Sequence, residues 1–257
     1  MTQSIRLRDD AAVQYLLRIG DTALILAQRL GEWCGHAPVL EEDIALTNMA
    51  LDLIGQARAV LTHAGDLEGQ GFDEDQLAFL RDERDYLNAT LVELPRGDFA
   101  FTVLRNCFVA TWATLLWERL CTSNDAELAG IAGKAVKESR YHQQHAADWV
   151  VRLADGTAES RRRTEAALDQ LWRYTAELFD ADAVDEHAHA SGLGPRWADL
   201  RDAWQAEISA VFAEAGLTAP KDSAYRSSGR RGVHSEHMGY LLTELQYLQR
   251  SYPGGVW

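Results

Sequence analysis

Apolar residues recur at intervals of three and four along nearly the whole chain, and runs of alternating β-branched residues are almost absent. That spacing places one apolar stripe on a helix and leaves nothing to pair as a half-buried strand. Prolines, which end helices, number only five in 257 residues. The pattern predicts an all-α protein of about eight helices. The first spans about 12–33 and ends near Gly35-His-Ala-Pro38. The second starts after Pro38 with Glu41, Glu42 and Asp43 in its first turn, where acids complement the helix dipole. Its expected core stripe is Leu40, Ile44, Thr47, Leu51, Ile54 and Leu61, and it ends near Gly65.

An acidic loop, 66–75, leads to a shorter helix over about 76–93, broken by Pro95-Arg-Gly97. Asp98 is the expected N-cap of a helix over 99–121. Asn124 with Glu127 predicts a cap for a helix reaching about 154. Further helices follow over about 161–179, with Leu168, Leu171, Trp172, Thr175, Leu178 and Phe179 on one face, and 195–215, with Trp197, Leu200, Trp204, Ile208, Val211 and Phe212. A polar loop, 221–232, precedes a last helix carrying Met238, Leu241, Leu242, Leu245 and Leu248. Four long helices in the first 155 residues, with a partly helical crossover in the middle, suggest a ferritin-like four-helix bundle over about 12–155. A helical extension over about 160–257 packs on it, making a single domain of residues 1–257.

Apolar residues make up 47% of the chain, enough for a large core. The net charge of −14 disfavours nucleic acid and anionic lipid as partners. The three cysteines, Cys34, Cys107 and Cys121, have no paired spacing and are expected to be reduced, buried thiols of a cytoplasmic protein. The start, Met1-Thr-Gln-Ser-Ile-Arg6, has no apolar run resembling a signal peptide. The most apolar stretch, 106–117, is shorter than a bilayer span and is expected to be a core helix.

One stretch carries metal-like chemistry: Glu138-Ser-Arg-Tyr-His142-Gln-Gln-His145. A di-iron site in a bundle takes a Glu from each of two helices and a Glu-x-x-His pair from each of the other two. Here Tyr141 stands at i+3 from Glu138, and His142 falls one step later. That step is a rotation of roughly 100° around the helix. The second helix offers Asn48, Asp52 and Gln56 but no imidazole before His63. The first offers Gln28 and Glu32, the third Glu118. Glu32, Asp52, Glu138 and His142 are therefore expected to be the degenerate remnant of a metal site. A hydrogen-bonded network with Asn48, Asp52, Gln56 and Lys134 as partners would take its place. The competing reading is a working di-iron oxidase using Glu32, Asp52, Glu118, Glu138 and His142. The only strict Glu-x-x-His, Glu186-His-Ala-His189, is expected to be a solvated cluster. In His234-Ser-Glu-His237, Ser235 is the expected helix cap. Arg226, Arg230 and Arg231 form the one basic patch the sequence suggests, suited to a partner's carboxylates or to the phosphates of coenzyme A.

Several longer motifs carry a resemblance. They are Gly20-Asp-Thr-Ala-Leu24, Gln28-Arg-Leu-Gly-Glu-Trp-Cys-Gly-His-Ala-Pro38 and Leu51-Asp-Leu-Ile-Gly-Gln-Ala-Arg58. Phe79-Leu-Arg-Asp-Glu-Arg84, Lys137-Glu-Ser-Arg-Tyr-His142 and Leu171-Trp-Arg-Tyr-Thr-Ala-Glu-Leu-Phe-Asp-Ala-Asp182 join them. So do Tyr225-Arg-Ser-Ser-Gly-Arg-Arg-Gly-Val-His-Ser-Glu-His237 and Glu244-Leu-Gln-Tyr-Leu-Gln-Arg250. From about Tyr15 to Trp257 the chain resembles the structural-subunit family of the bacterial phenylacetyl-CoA epoxidases.

The resemblance implies a ferritin-like fold and no catalytic residues, metal or cofactor in this chain. It implies pairing with a sister subunit that holds the di-iron centre and is kept active and soluble by the pairing. A small third subunit completes the oxygenase, with a reductase carrying flavin, an iron–sulfur cluster and the NADPH site. The whole complex turns phenylacetyl-CoA and O₂ into a ring-1,2-epoxide in aerobic phenylacetate degradation. The resemblance also implies substrate contacts at Asp85, Tyr86, Leu87 and Asn88, and at Glu186, His187 and Ala188, although Glu186-His-Ala188 departs from the family pattern. A third reading is a helical binding module for acyl-CoA.

Overall fold

The computed structural model describes residues 4–221 and 223–255. The opening Met1-Thr-Gln, Asp222 of the expected polar loop and Trp257 lie outside the described residues. The chain is all-α and ferritin-like. The helix α1 (Ala11–Gly31) lies along α2 (Leu40–Glu68), and α5 (Phe99–Leu120) lies along α6 (Ala126–Asp155). These two hairpins make the bundle, and α2 touches α6 less extensively than either touches its hairpin mate. The crossover carries α3 (Glu74–Phe79), a 3₁₀ turn at Glu83–Asp85 and α4 (Thr90–Glu93). After the bundle, α7 (Ala158–Leu171) and α9 (Arg201–Ala215) pack on α5 and α6, and α8 (Ala183–Ser191) packs on α1. The last helix, α10 (Glu236–Ser251), lies against α3 and α4.

Local chemistry explains the helix starts. Asp10 accepts from the amides of Ala12 and Val13, and Asp98 accepts from Phe101 as expected. Asp73 and Gln76 form a capping box on α3. The cap of α6 is Asp125, which accepts from Leu128, so the expected Asn124 stands one residue outside. Ser235 caps α10 through the amide of His237. Gly65 has no room for a side chain: a Cβ would sit 2.2 Å from the Phe72 carbonyl where the crossover turns back.

Three expected helices change pitch. The segment expected as one helix over 76–93 breaks after Phe79, because the Arg81 guanidinium turns inward to Asp21 and holds 86–89 extended. The helix expected over 161–179 ends at Leu171 and tightens into 3₁₀ turns at Trp172–Phe179; its expected apolar face nevertheless faces inward. The segment from 195 starts as 3₁₀ at Trp197–Leu200 before α9, and α8 was not expected as a helix.

The expected stripe of α2 is corrected. Leu40, Ile44 and Leu51 are exposed, Thr47 and Ile54 are half-buried, and only Leu61 of the expected stripe is buried; Leu46, Met49, Leu53, Ala57 and Val60 form the rest of the buried face. One continuous core joins bundle and extension, centred on Phe108, whose ring meets Trp172, Trp204 and Phe212. Burial of such a side chain contributes about 1.5–3 kcal/mol. By length and composition α5 alone among the described helices could cross a membrane, but it is mostly buried inside the bundle. Cys107 is buried as expected. Cys34 and Cys121 are exposed instead, because each falls just past a helix end, and all three thiols are free.

Candidate functional site

The seam between α2 and α6 gathers the residues singled out in Glu138–His145. On α6, Glu138, His142 and His145 follow at i, i+4 and i+7 and share one face. On α2 they meet Gln56, Asp52 and Glu42. His142 Nε2 lies 3.1 Å from Asp52 Oδ2, and His145 Nε2 lies 2.8 Å from Glu42 Oε2. Gln56 donates to Glu138 Oε2 at 2.9 Å, and Lys134 approaches the same carboxylate at 3.6 Å. His63 Nε2 lies 2.7 Å from Asp125 Oδ2 at the far end. Burial pushes the His142 imidazole below its ordinary pKa, against the pull of Asp52.

The other expected members stand elsewhere. Tyr141 is exposed, with its ring beside those of His142 and His145. Asn48 is exposed on α2 and takes no part. Glu32 pairs with Arg29 at 2.5 Å, and Glu118 pairs with Arg140 at 2.7 Å. Of the expected remnant, only Asp52, Glu138 and His142 come together. They do not fit a di-iron centre: two carboxylates and one imidazole fall short of the four carboxylates and two imidazoles that such a centre takes. Among the described residues, no three His, Cys, Asp or Glu side chains converge on a point that could hold a metal. Glu186 pairs with Arg196 at 3.3 Å, and His187 and His189 face solvent.

A second polar cluster lies where the crossover and the tail meet α1. Asp21, fully buried, takes a bidentate grip from Arg81 and also accepts from the Leu87 amide at 2.8 Å. Arg18 donates to Asp182 at 2.6 Å and Asp185 at 3.3 Å, and Arg230 donates to both Asp185 oxygens at 3.1 Å. Glu177 accepts from the Thr90 amide, the Ser227 hydroxyl and the Arg230 amide. Glu93 meets His234 Nδ1 at 2.7 Å, and against the effect of burial this carboxylate raises the imidazole above its ordinary pKa. Gly232 (φ +74°) lets the tail run against the crossover, where a Cβ would sit 2.2 Å from the Arg84 carbonyl. Sequence reasoning missed Asp21, Arg18, Arg81, Glu93, Glu177 and Asp185. One signal was present: a charge inside an apolar run, such as Asp21 within 15–27, marks a buried pair.

The expected basic patch divides. Arg230 is 3% exposed and committed to Asp185, so it is not a surface contact. Arg231 pairs with Asp182 at 3.3 Å, and Arg226 lies apart, donating to the Ser223 and Tyr225 carbonyls. Of the residues given by the resemblance, Asp85 and Leu87 line a cleft of about 520 Å³ together with Arg6, Arg8, Arg84, Asp182 and Arg231. Among the described residues the guanidinium groups of Arg6, Arg8 and Arg84 make no ion pair, though the Arg8 amide donates to Glu68 Oε1 at 3.1 Å. Tyr86, Asn88 and Ala188 are fully buried. The Tyr86 hydroxyl bonds the Ala78 carbonyl, and Asn88 donates to Glu93 at 3.0 Å. Glu186 and His187 are exposed on α8.

A four-helix bundle with a long crossover, whose α2–α6 seam is bridged by hydrogen-bonded imidazole and carboxylate groups, is a ferritin-like chain. The chain belongs to the family described as "Phenylacetic acid catabolic protein", whose sequence profile matches residues 1–257. It is 51% identical to a subunit of the 1,2-phenylacetyl-CoA epoxidase of Escherichia coli (strain K12), over 243 residues covering 95% of this chain and 98% of that relative.

Proposed function

We propose that this chain is a non-catalytic, cytoplasmic subunit of a phenylacetyl-CoA 1,2-epoxidase, pairing with and stabilising the subunit that holds the di-iron centre. The observation that carries this reading is the α2–α6 seam, where a catalytic bundle would need two Glu-x-x-His pairs and this chain sets Gln56, Asp52 and Glu42 opposite Glu138, the mis-stepped His142 and His145. The relative's name, a subunit of that epoxidase, points the same way. Exposed Leu40, Ile44 and Leu51 give α2 an apolar row suited to a subunit contact. Arg6, Arg8 and Arg84 give the 520 Å³ cleft a charge suited to the phosphates of the coenzyme A substrate at such an interface.

Co-expression with the catalytic subunit should yield a soluble complex that epoxidises phenylacetyl-CoA when the reductase, NADPH and O₂ are supplied. If the catalytic subunit alone proved soluble and fully active with the reductase, the scaffold role would be lost. Arg84→Gln should raise KM for phenylacetyl-CoA in the complex and leave kcat unchanged.

A further inference from the structure

Away from both polar clusters, the turn after α7 builds a basic surface on an otherwise acidic chain. Trp172 turns inward to Trp204 and Phe212, and the tight 3₁₀ path then turns Arg173 out to solvent. Its guanidinium is held in place without an acid. It donates to the Tyr174 hydroxyl at 2.9 Å and stacks 5.0 and 4.8 Å from the ring centres of Tyr174 and Tyr225. A guanidinium carries five N–H donors, so most of these remain available.

Arg173 lines a shallow dent with Arg201 and Arg226, and no Asp or Glu among the described residues lines it. Among those residues Arg226 donates only to backbone carbonyls, and Arg201 makes no ion pair. On its other side Arg173 opens into a cleft of about 670 Å³ between α7 and the start of α5. Phe101 and Tyr174, both half-buried, form part of its wall, with Arg162, Arg163 and His237 around them. Two acids, Asp98 and Asp169, also face the cleft, and Glu159 is shared by Arg162 and Arg163. The uncompensated positive charge therefore sits at Arg173, Arg201 and Arg226, in a chain whose net charge is −14. Fixed guanidinium groups recognise phosphate oxygens in pairs, and half-buried aromatic faces take planar rings. The cleft volume falls within the range of small-ligand sites.

We propose that this surface is a nucleoside phosphate site, with the base against Phe101 and Tyr174 and the phosphates on Arg173, Arg201 and Arg226. It is distinct from the cleft at Arg84 and does not depend on the scaffold role. The test is calorimetric titration of the full chain with ADP at low ionic strength. Saturable binding is expected, weaker for adenosine and for inorganic phosphate than for ADP. Arg173→Gln and, independently, Arg226→Gln should each weaken it at least about tenfold, the cost of one charge-assisted contact. Both side chains are exposed, so thermal melts of these variants should match the parent, and Arg84→Gln should bind ADP normally. Absence of saturable binding would overturn the proposal. So would ADP binding that survives Arg173→Gln and Arg226→Gln, or that disappears in Arg84→Gln.

Discussion

The α2–α6 seam and the corner where crossover and tail meet α1 use the same residue types to opposite ends. In the corner, Asp21, Glu93, Glu177, Asp185, Arg81 and Arg230 are almost completely buried, and each takes several partners, at least one of them from a distant part of the chain. Together they hold the extended 86–89 segment and the tail in one path. In the seam each side chain takes only one or two partners, and Asp52 and Glu138 are partly exposed. Burial and partner number, rather than residue type, therefore decide what a carboxylate–cation pair contributes. A fully buried pair is costly to break because its survivor is an uncompensated charge, whereas a half-exposed pair is solvated when broken.

Asp21→Ala should have the largest effect. It strands Arg81 and the Leu87 amide in the core and should cost about 3–5 kcal/mol by denaturant unfolding. A loss below about 1 kcal/mol would put the corner on a level with the seam. His142→Gln in the seam should cost about 0.5–1.5 kcal/mol in the same assay.

The two regions should also bend stability in opposite directions with pH. His234 has a raised pKa, so its contribution is complete below the ordinary value of 6.5 and is lost as pH climbs through its raised folded value. His142 has a lowered pKa, so its contribution is complete above 6.5 and is lost as pH falls below it. The gap in stability between parent and His234→Gln should shrink toward alkaline pH, and that between parent and His142→Gln should shrink toward acid. Parallel curves for the two variants would remove the electrostatic distinction. The smallest effect belongs to α2's outer row. Ile44→Ser and Leu51→Ser should change the stability of the isolated chain by no more than about 0.5 kcal/mol, since both side chains already face water.

The periodicity of the sequence located the long helices, the crossover and the caps at Asp98 and Ser235. It could not choose between the two faces of α2, because Leu40, Ile44 and Leu51 repeat at the same helical spacing as Leu46, Met49, Leu53 and Val60. Nor could it show the break after Phe79, which is set by Asp21, about 60 residues earlier in the chain. In the seam, Glu138 and His142 with Asp52 and Gln56 were legible because helical spacing fixes which side chains share a face. Glu42 as the partner of His145, and Asp125 as the partner of His63, depend on the register between two helices, which sequence spacing within either helix does not contain. Arg226, Arg230 and Arg231 are neighbours in the chain but separate in space, because Arg230 turns into the core to meet Asp185.

Hydrogen bonds occupy the α2–α6 seam, and the proposed non-catalytic role requires that it hold no iron. Metal analysis of this chain, purified alone from iron-replete cells, probes that requirement without any activity assay. Far less than one iron per chain is expected. About two tightly bound irons per chain, the content of a working di-iron bundle, would contradict the hydrogen-bonded seam.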